Sequence, residues 1–474
     1  MTWYIVWLVL FLAAILALGL IYSRKVETAD QYVMADFSLG PFAIVGSIAA
    51  TVLGSAAIIG AAGKGFDLGA AWIFSKTFAP VSILLAVILG TTIRKLKLYT
   101  IPDLFVRRFG RATGLIPAII IAILYMTPTF GMQLVAMGSI LSTVIHMPEF
   151  LGMLLGFVIC VAFTLLGGMP SVAWTDAAQS VLIVAGAFIL LFAGIHYAGG
   201  VDTVIRNTPS EYLNPLGGTL PTKDILKYIF VFGPFYLIWQ TTWQRLTAAR
   251  SPKVAVWSVS IGMVVAALIS LVSICIGIVA RQVIPLDTDH DLVYTLFLTR
   301  VTTPALGGFL MISLFAAVLT GATSFLLSGA TNISKDIYQG WIEPAADDRA
   351  VLKVSRWSVG GMAVLGLVIA LSINDIIKIY TYALSLSAIT LVMPVMAAMF
   401  WERATKSGVM ASIIVSLVFG LLWNVLGRPF GIHEILPGLG VSFLVLATVS
   451  LLTTHSSDED VSAYYFSLKD KDAV

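Results

Sequence analysis

Apolar stretches of about twenty residues recur along this chain, at roughly 3-22, 41-62, 70-93, 115-140, 149-166, 172-196, 226-244, 255-280, 303-331, 354-373, 377-400, 408-427 and 435-453. Each is long enough to cross the hydrocarbon core of a bilayer as a helix. With 59% hydrophobic and only 11% charged residues, the chain carries more apolar surface than one soluble core of this size can hide. It reads as an all-α polytopic membrane protein with about thirteen transmembrane helices, and the lipid bilayer is its first partner.

The first stretch runs from Trp3 to Tyr22 with no positive residue before it, and Arg24 and Lys25 follow. A cleaved leader has the opposite order, charge first and small residues last, so this segment is expected to remain as a helix. An odd number of spans puts the termini on opposite sides. Placing the amino terminus outside sends about 19 of the 28 basic residues to inner loops, Arg245, Lys469 and Lys471 among them. The carboxyl terminus is therefore expected in the cytoplasm and the chain in the cytoplasmic membrane.

The net charge of +3 is small and its basic residues are scattered, which leaves no surface for nucleic acid. Cys160 and Cys275 sit in apolar runs and read as small buried side chains rather than a disulfide; no metal-ligand cluster stands out. The tail from Thr454 to Val474 is polar, and no soluble enzyme or kinase module is appended to the helices.

Two spans carry helix-weakening features in their middles. The second holds Ser47, Thr51, Gly54, Ser55 and Gly60 among alanines; the seventh holds Gly233-Pro234 and then Trp239-Gln240-Thr241-Thr242-Trp243-Gln244-Arg245. Non-helical backbone at membrane depth survives only where protein or a water-filled cavity receives its polar groups. The two spans stand five apart, as they would if helices two to six repeat with inverted topology as seven to eleven, and paired interruptions of this kind point to a central binding site. Close packing or a simple kink is the other reading of the same glycines and prolines.

Asp176 follows Gly167-Gly168-Met169-Pro170 and leads into the sixth span. A carboxylate at membrane depth costs several kcal/mol unless it meets water, an ion or a partner, so it marks either a functional site or an interfacial helix cap. In the ninth span Thr320, Thr323 and Ser324 share one sector of the helix at about 100° per residue. Such hydroxyls either bond back to their own helix or, with an acid and free carbonyls nearby, ligate a hard cation such as sodium.

These residues, together with Thr100-Ile101-Pro102-Asp103, Arg107-Arg108-Phe109, Trp174-Thr175-Asp176, Gln179, Ala248-Ala249 and Ser334-Lys335-Asp336-Ile337-Tyr338, resemble the sodium:solute symporter family over nearly the whole chain. The resemblance implies a leucine-transporter-like core of five plus five inverted helices containing two broken helices. On that pattern, 1-40 is an extra helix and inner loop, and 41-400 is the transport core, with halves at about 41-200 and 224-400. Two further helices and the tail fill 401-474.

The family's sodium site matches Ala50, Leu53, Ala317, Thr320 and Gly321, the last standing where relatives commonly have Ser or Thr. An additional sodium site matches Asp176, Thr320, Thr323 and Ser324. Candidate solute contacts are Ser55, Gln133, Trp239, Gln240 and Ser385, with core packing or helix-helix hydrogen bonding as the other reading of each. Val52 replaces a pocket tryptophan of the choline branch and the acidic residue of proline transporters, and Ala57 replaces a glutamine of sugar carriers.

The expected function is sodium-coupled symport of a small polar organic solute, an amino acid, carboxylate, quaternary amine or related compound, by alternating access. Sodium is the co-transported ion. Proton coupling through Asp176 and a transporter-like sensor or subunit are the alternatives. An enzyme is not expected, since no nucleophile elbow or paired-histidine zinc motif occurs.

Overall fold

The computed structural model describes residues 2–23, 26–373 and 375–455; Arg24, Lys25, Lys469, Lys471 and most of the tail thus lie outside the described residues. In chain order the principal helices are α1 (Thr2–Ser23), α2 (Pro41–Val52), α3 (Ser55–Leu68), α4 (Phe78–Lys95), α5 (Ile101–Phe109), α6 (Thr127–Ile145) and α7 (Glu149–Tyr197). They continue as α8 (Thr222–Phe232), α9 (Gln240–Ala248), α10 (Pro252–Ala280), α11 (Val293–Val301), α12 (Pro304–Thr331), α13 (Asp348–Ser372), α14 (Ile376–Phe400), α15 (Lys406–Val425) and α16 (Ile435–Leu452). Among the described residues there is no strand beyond one bridge between Leu39 and Ala249.

The 49-residue α7 is two spans in one. Gly168 takes φ 54° and ψ −155°, outside helical values, and Pro170 follows where a new first turn tolerates a missing N–H. A Cβ at position 168 would lie 2.6 Å from the Tyr32 ring and 2.7 Å from its carbonyl oxygen, so only glycine fits. Splitting α7 there, and taking α2/α3 and α8/α9 as one interrupted span each, reproduces the thirteen expected spans.

Entry points are fixed by side-chain caps. Thr100 Oγ1 accepts from Asp103 N at 3.2 Å, Ser251 Oγ from Val254 N at 3.3 Å and Thr405 Oγ1 from Gly408 N at 3.1 Å. Pro102 and Pro252 occupy first turns where no N–H is needed.

α12 forms the central shaft; its whole apolar window is buried. It packs on α6 and α7, while α2 lies between α7, α10 and α12. α1 leans on α7 and α12 from outside, and α15 and α16 pair beside α14, so these three flank the core and face lipid. Arg108, buried on α5, donates to the carbonyls of Ala398 at 2.7 Å, Trp401 at 2.6 Å and Glu402 at 3.2 Å, closing the end of α14.

Candidate functional site

Both interruptions occur where the small residues and prolines foreshadow them. α2 stops at Val52, Leu53 (ψ 29°) and Gly54 (ψ −171°) leave the helix, and α3 starts at Ser55 without a side-chain cap. Gln133 on α6 takes the place of that cap, its Oε1 accepting from Ser55 N at 3.0 Å. A Cβ on Gly54 would stand 2.9 Å from Gln133 Nε2, so the glycine makes room for the amide. In the second interruption, Gly233 (ψ −76°) ends α8, a tight turn runs Pro234–Leu237, and Trp239 (ψ 102°) precedes α9. The freed Leu237 carbonyl accepts from Trp243 Nε1 at 2.9 Å, which satisfies backbone at membrane depth.

Between the interruptions lie two adjoining cavities of about 10 and 20 Å³ that share Val52, Ala56, Ala57, Tyr236 and Tyr380 in their walls. The smaller is also lined by Gln133 and Trp239 and the larger by Trp72 and Lys76. Each holds about one water. Val52 and Ala57 therefore both face this space. Aromatic rings close one end: Tyr236 and Tyr380 hydroxyls meet at 2.9 Å, and Trp72 packs on Tyr228 at 4.6 Å between centroids.

Of the five expected solute contacts, Gln133 and Trp239 line this space, and Ser55 stands between the lining residues Gly54 and Ala56. Ser55 Oγ and Gln133 Nε2 are buried without hydrogen-bond partners, and the Trp239 indole faces the Tyr125 hydroxyl without a well-formed bond. The other two stand elsewhere. Gln240 accepts from Ile101 N at 2.9 Å and donates to Tyr99 O at 3.2 Å, bracing the start of α5. Ser385 donates to Glu434 Oε1 at 2.8 Å, tying α14 to the segment before α16.

Toward the Asp176 end, α12 meets α2. Thr320 Oγ1 lies 3.0 Å from Ala50 O and 2.9 Å from Ala317 O, so three oxygens of the expected sodium set converge. Leu53 is buried at the interruption itself. Gly321 faces Gln133, whose Nε2 would be 3.0 Å from an added Cβ; the amide fills the room a hydroxyl side chain would need.

Asp176 is not a helix cap. Its Oδ2 accepts from Ser47 Oγ at 2.8 Å and lies 3.5 Å from Ser324 Oγ, within a buried layer. Arg245 completes that layer: Nη2 stands 3.8 Å from Asp176 Oδ2 and 2.6 Å from Ser324 Oγ, and Nε donates to Ser47 at 3.2 Å. Thr51 meets Ser324 at 3.0 Å, Ser328 donates to Gln244 at 2.7 Å, and Gln244 reaches Val33 O at 3.0 Å. Thr323 bonds only its own helix, at Leu319 O and Thr320 O, the back-bonding alternative for a membrane hydroxyl.

Arg245 is the residue sequence reasoning misplaced. Counted as an inner-loop charge, it is buried because α9 runs on to Ala248 and turns it against Asp176. Its partners Ser47 and Ser324 come from α2 and α12, both remote in sequence, so no local signal pairs them. Two smaller differences concern the cysteines and the metal ligands. Cys160 is buried and Cys275 exposed, both free; Asp289, His290 and Asp291 stand together with ligand atoms within 4.8 Å.

Nine helical stretches among the described residues are long and apolar enough to cross a membrane, and two interrupted spans enclose a small central cavity beside an oxygen-rich cluster. That combination defines a multi-pass secondary transporter. The sodium:solute symporter family model matches residues 32–416, and the chain belongs to that family. It is similar to the osmoregulated proline transporter OpuE of Bacillus subtilis, 24% identical over 94% of each chain. It also resembles the sodium/glucose cotransporter of Vibrio parahaemolyticus, 23% identical over 95% of this chain and 90% of that protein. Among solved structures, a Na⁺-coupled sialic acid symporter in a substrate-bound outward-open state superposes with a TM-score of 0.81 at 18% identity, covering 96% of this chain and 98% of that one. Its co-transported ion is sodium and its cargo a small solute, the activity of the family.

Proposed function

We propose that solute binds between the two interruptions and that sodium binds at their inner flank, in the cytoplasmic membrane with the amino terminus outside. The observation that carries this reading is Thr320, whose hydroxyl joins the Ala50 carbonyl of the first broken helix to the Ala317 carbonyl of α12. Sodium inserted among Ala50, Leu53, Ala317 and Thr320 holds α2 against α12 and fixes the interruption that contacts solute. The proline, pantothenate and glucose carriers among its relatives make a small polar organic solute the expected cargo.

The Asp176 layer is the inner closure in this reading. It links α2 and α7 of the first half to α9 and α12 of the second. Arg245 and a second sodium ion then compete for Asp176, so an ion arriving among Asp176, Thr320, Thr323 and Ser324 releases the guanidinium and loosens the contact between halves. Coupling requires that ion and solute bind one state better than the other, and this exchange supplies the difference. Residues 41-400 form the moving core, and the helices on either side of it are its lipid-facing scaffold.

The test is uptake into proteoliposomes under a sodium gradient, a proton gradient or neither, over a panel of radiolabelled amino acids, carboxylates and quaternary amines. Accumulation with sodium alone is expected. Accumulation driven by a pH gradient without sodium would overturn the coupling assignment.

A further inference from the structure

The larger central cavity contains one basic side chain, Lys76, and no carboxylate on its walls. Trp72, Phe78, Phe232 and Tyr236 surround it there. Among the described residues, no ion pair or hydrogen bond joins Lys76 to an acid. Lys76 is half-buried, and an ammonium set against aromatic and aliphatic walls without a counter-charge gains when an anion arrives. The first turn of α3 borders the same space through Ala56 and Ala57, adding the positive end of a helix.

The neighbouring wider vestibule, about 310 Å³, shows why the selectivity rests on Lys76. It is lined by Lys64, Lys227, Lys378 and Arg428, but Lys64 pairs with Asp67 at 3.5 Å, Lys227 with Asp224 at 2.8 Å and Arg428 with Glu434 at 3.0 Å. Those three charges are paired, and Lys378 is exposed to solvent. Lys76, half-buried on the same cavity wall as Trp72 and Tyr380, has no acidic partner among the described residues.

Resting on the reading of this cavity as the solute site, we propose that the transported solute carries a carboxylate and that Lys76 is its counter-ion. Gln133 Nε2, an unpartnered polar atom on a residue lining the adjoining cavity, then serves a second polar group of the same solute. A cationic solute without a carboxylate is disfavoured by repulsion from Lys76.

The experiment uses the full chain in lipid nanodiscs containing sodium chloride and matched probes: lactate and lactamide, L-proline and L-prolinamide, benzoate and benzamide. Binding is read by thermal shift and by counterflow after reconstitution. At least one acid is expected to bind and its amide not. Lys76→Met should weaken that acid about tenfold to hundredfold, the range of one charge-assisted hydrogen bond, while Lys76→Arg retains most of it. A sodium-induced thermal shift in Lys76→Met shows that the variant is folded. If that shift is lost, Lys76→Gln supplies the same comparison.

An amide that binds as well as its acid, an acid that binds Lys76→Met undiminished, or a panel in which no acid binds would each overturn the assignment. Sodium-dependent counterflow of a neutral solute untouched by Lys76→Met would do so while leaving symport intact. Acid binding lost in Lys76→Met but indifferent to sodium would support Lys76 and count against sodium coupling instead.

Discussion

Replacing Asp176 by Asn removes one charge from a pair that water cannot reach. The two side chains are 1% and 0% exposed and 3.8 Å apart. At an effective dielectric constant of about 20, their attraction is about 4 kcal/mol. That agrees with the roughly 3 to 5 kcal/mol by which deleting one member of a buried pair destabilises a fold. Asn still accepts from Ser47, so hydrogen bonding is conserved and charge is the variable. Asp176→Asn should therefore lower unfolding stability in detergent by several kcal/mol, because Arg245 is left with only neutral partners. The double variant Asp176→Asn/Arg245→Gln removes both charges and should recover most of the loss, to within about 1 kcal/mol of the native chain. Sodium response separates structure from function. A sodium titration of the thermal midpoint should show at least about tenfold weaker affinity in the double variant despite its recovered stability, since a carboxylate ligand is gone. A single variant as stable as the native protein would refute the pairing argument, and a double variant with native sodium affinity would refute the role of Asp176 as an ion ligand.

Gly321→Ser adds a hydroxyl at the expected sodium position but pushes on Gln133, whose Nε2 would lie 3.0 Å from the new Cβ. Sodium affinity should rise and solute affinity fall as the Gln133 bond to Ser55 N loosens, and paired binding isotherms read both changes. Arg108→Ala strips α14 of three carbonyl contacts and should destabilise the protein by about 2 to 4 kcal/mol, measured by chemical unfolding, with little effect on solute affinity in the folded fraction. His433, before α16, is held neutral mainly by burial, which pushes its pKa down to about 4 against the pull of Glu434; Arg428 and Lys227 lower it further and Asp224 opposes them. The unfolded state then takes up a proton near pH 6.5 that the folded state refuses until about pH 4. This contribution to stability is present above pH 6.5 and is lost as pH falls toward 4. His433→Asn should flatten that part of a stability profile against pH, and an unchanged slope would contradict the assignment.

The spans themselves were legible because the hydrocarbon core imposes a length and an apolar composition on each one, and that constraint is written locally. The split at Gly168 and both interruptions were visible for the same reason, since Gly, Pro and hydroxyl residues replace the leucines that lipid would favour. The hydroxyls of α12 divide between neighbouring helices and their own backbone. Periodicity put Thr320, Thr323 and Ser324 in one sector, but a sector is wider than a ligand position, and Thr323 turned back on its own helix. The solute contacts divided along the same line. Gln133 and Trp239 reached the cavity, whereas Gln240 and Ser385 were taken up by backbone and Glu434 partners that the sequence does not place beside them.

By itself the sequence determined an inverted pair of broken helices in a bilayer and a carboxylate buried near one end. Only the tertiary structure decided what that carboxylate meets. Asp176 and Arg245 are 69 residues apart on different halves of the core, and whether the acid faces water, an ion or a guanidinium depends on the register of α9 against α7. The same holds for Lys76, which in sequence is one more charge near a span end. It becomes the one basic side chain among the described residues lining the larger central cavity because the segment before α4 packs against α8 and α10. Helix length and polarity are set by short-range interactions with lipid and backbone; charge pairing is set by packing between distant segments, and no local pattern records it.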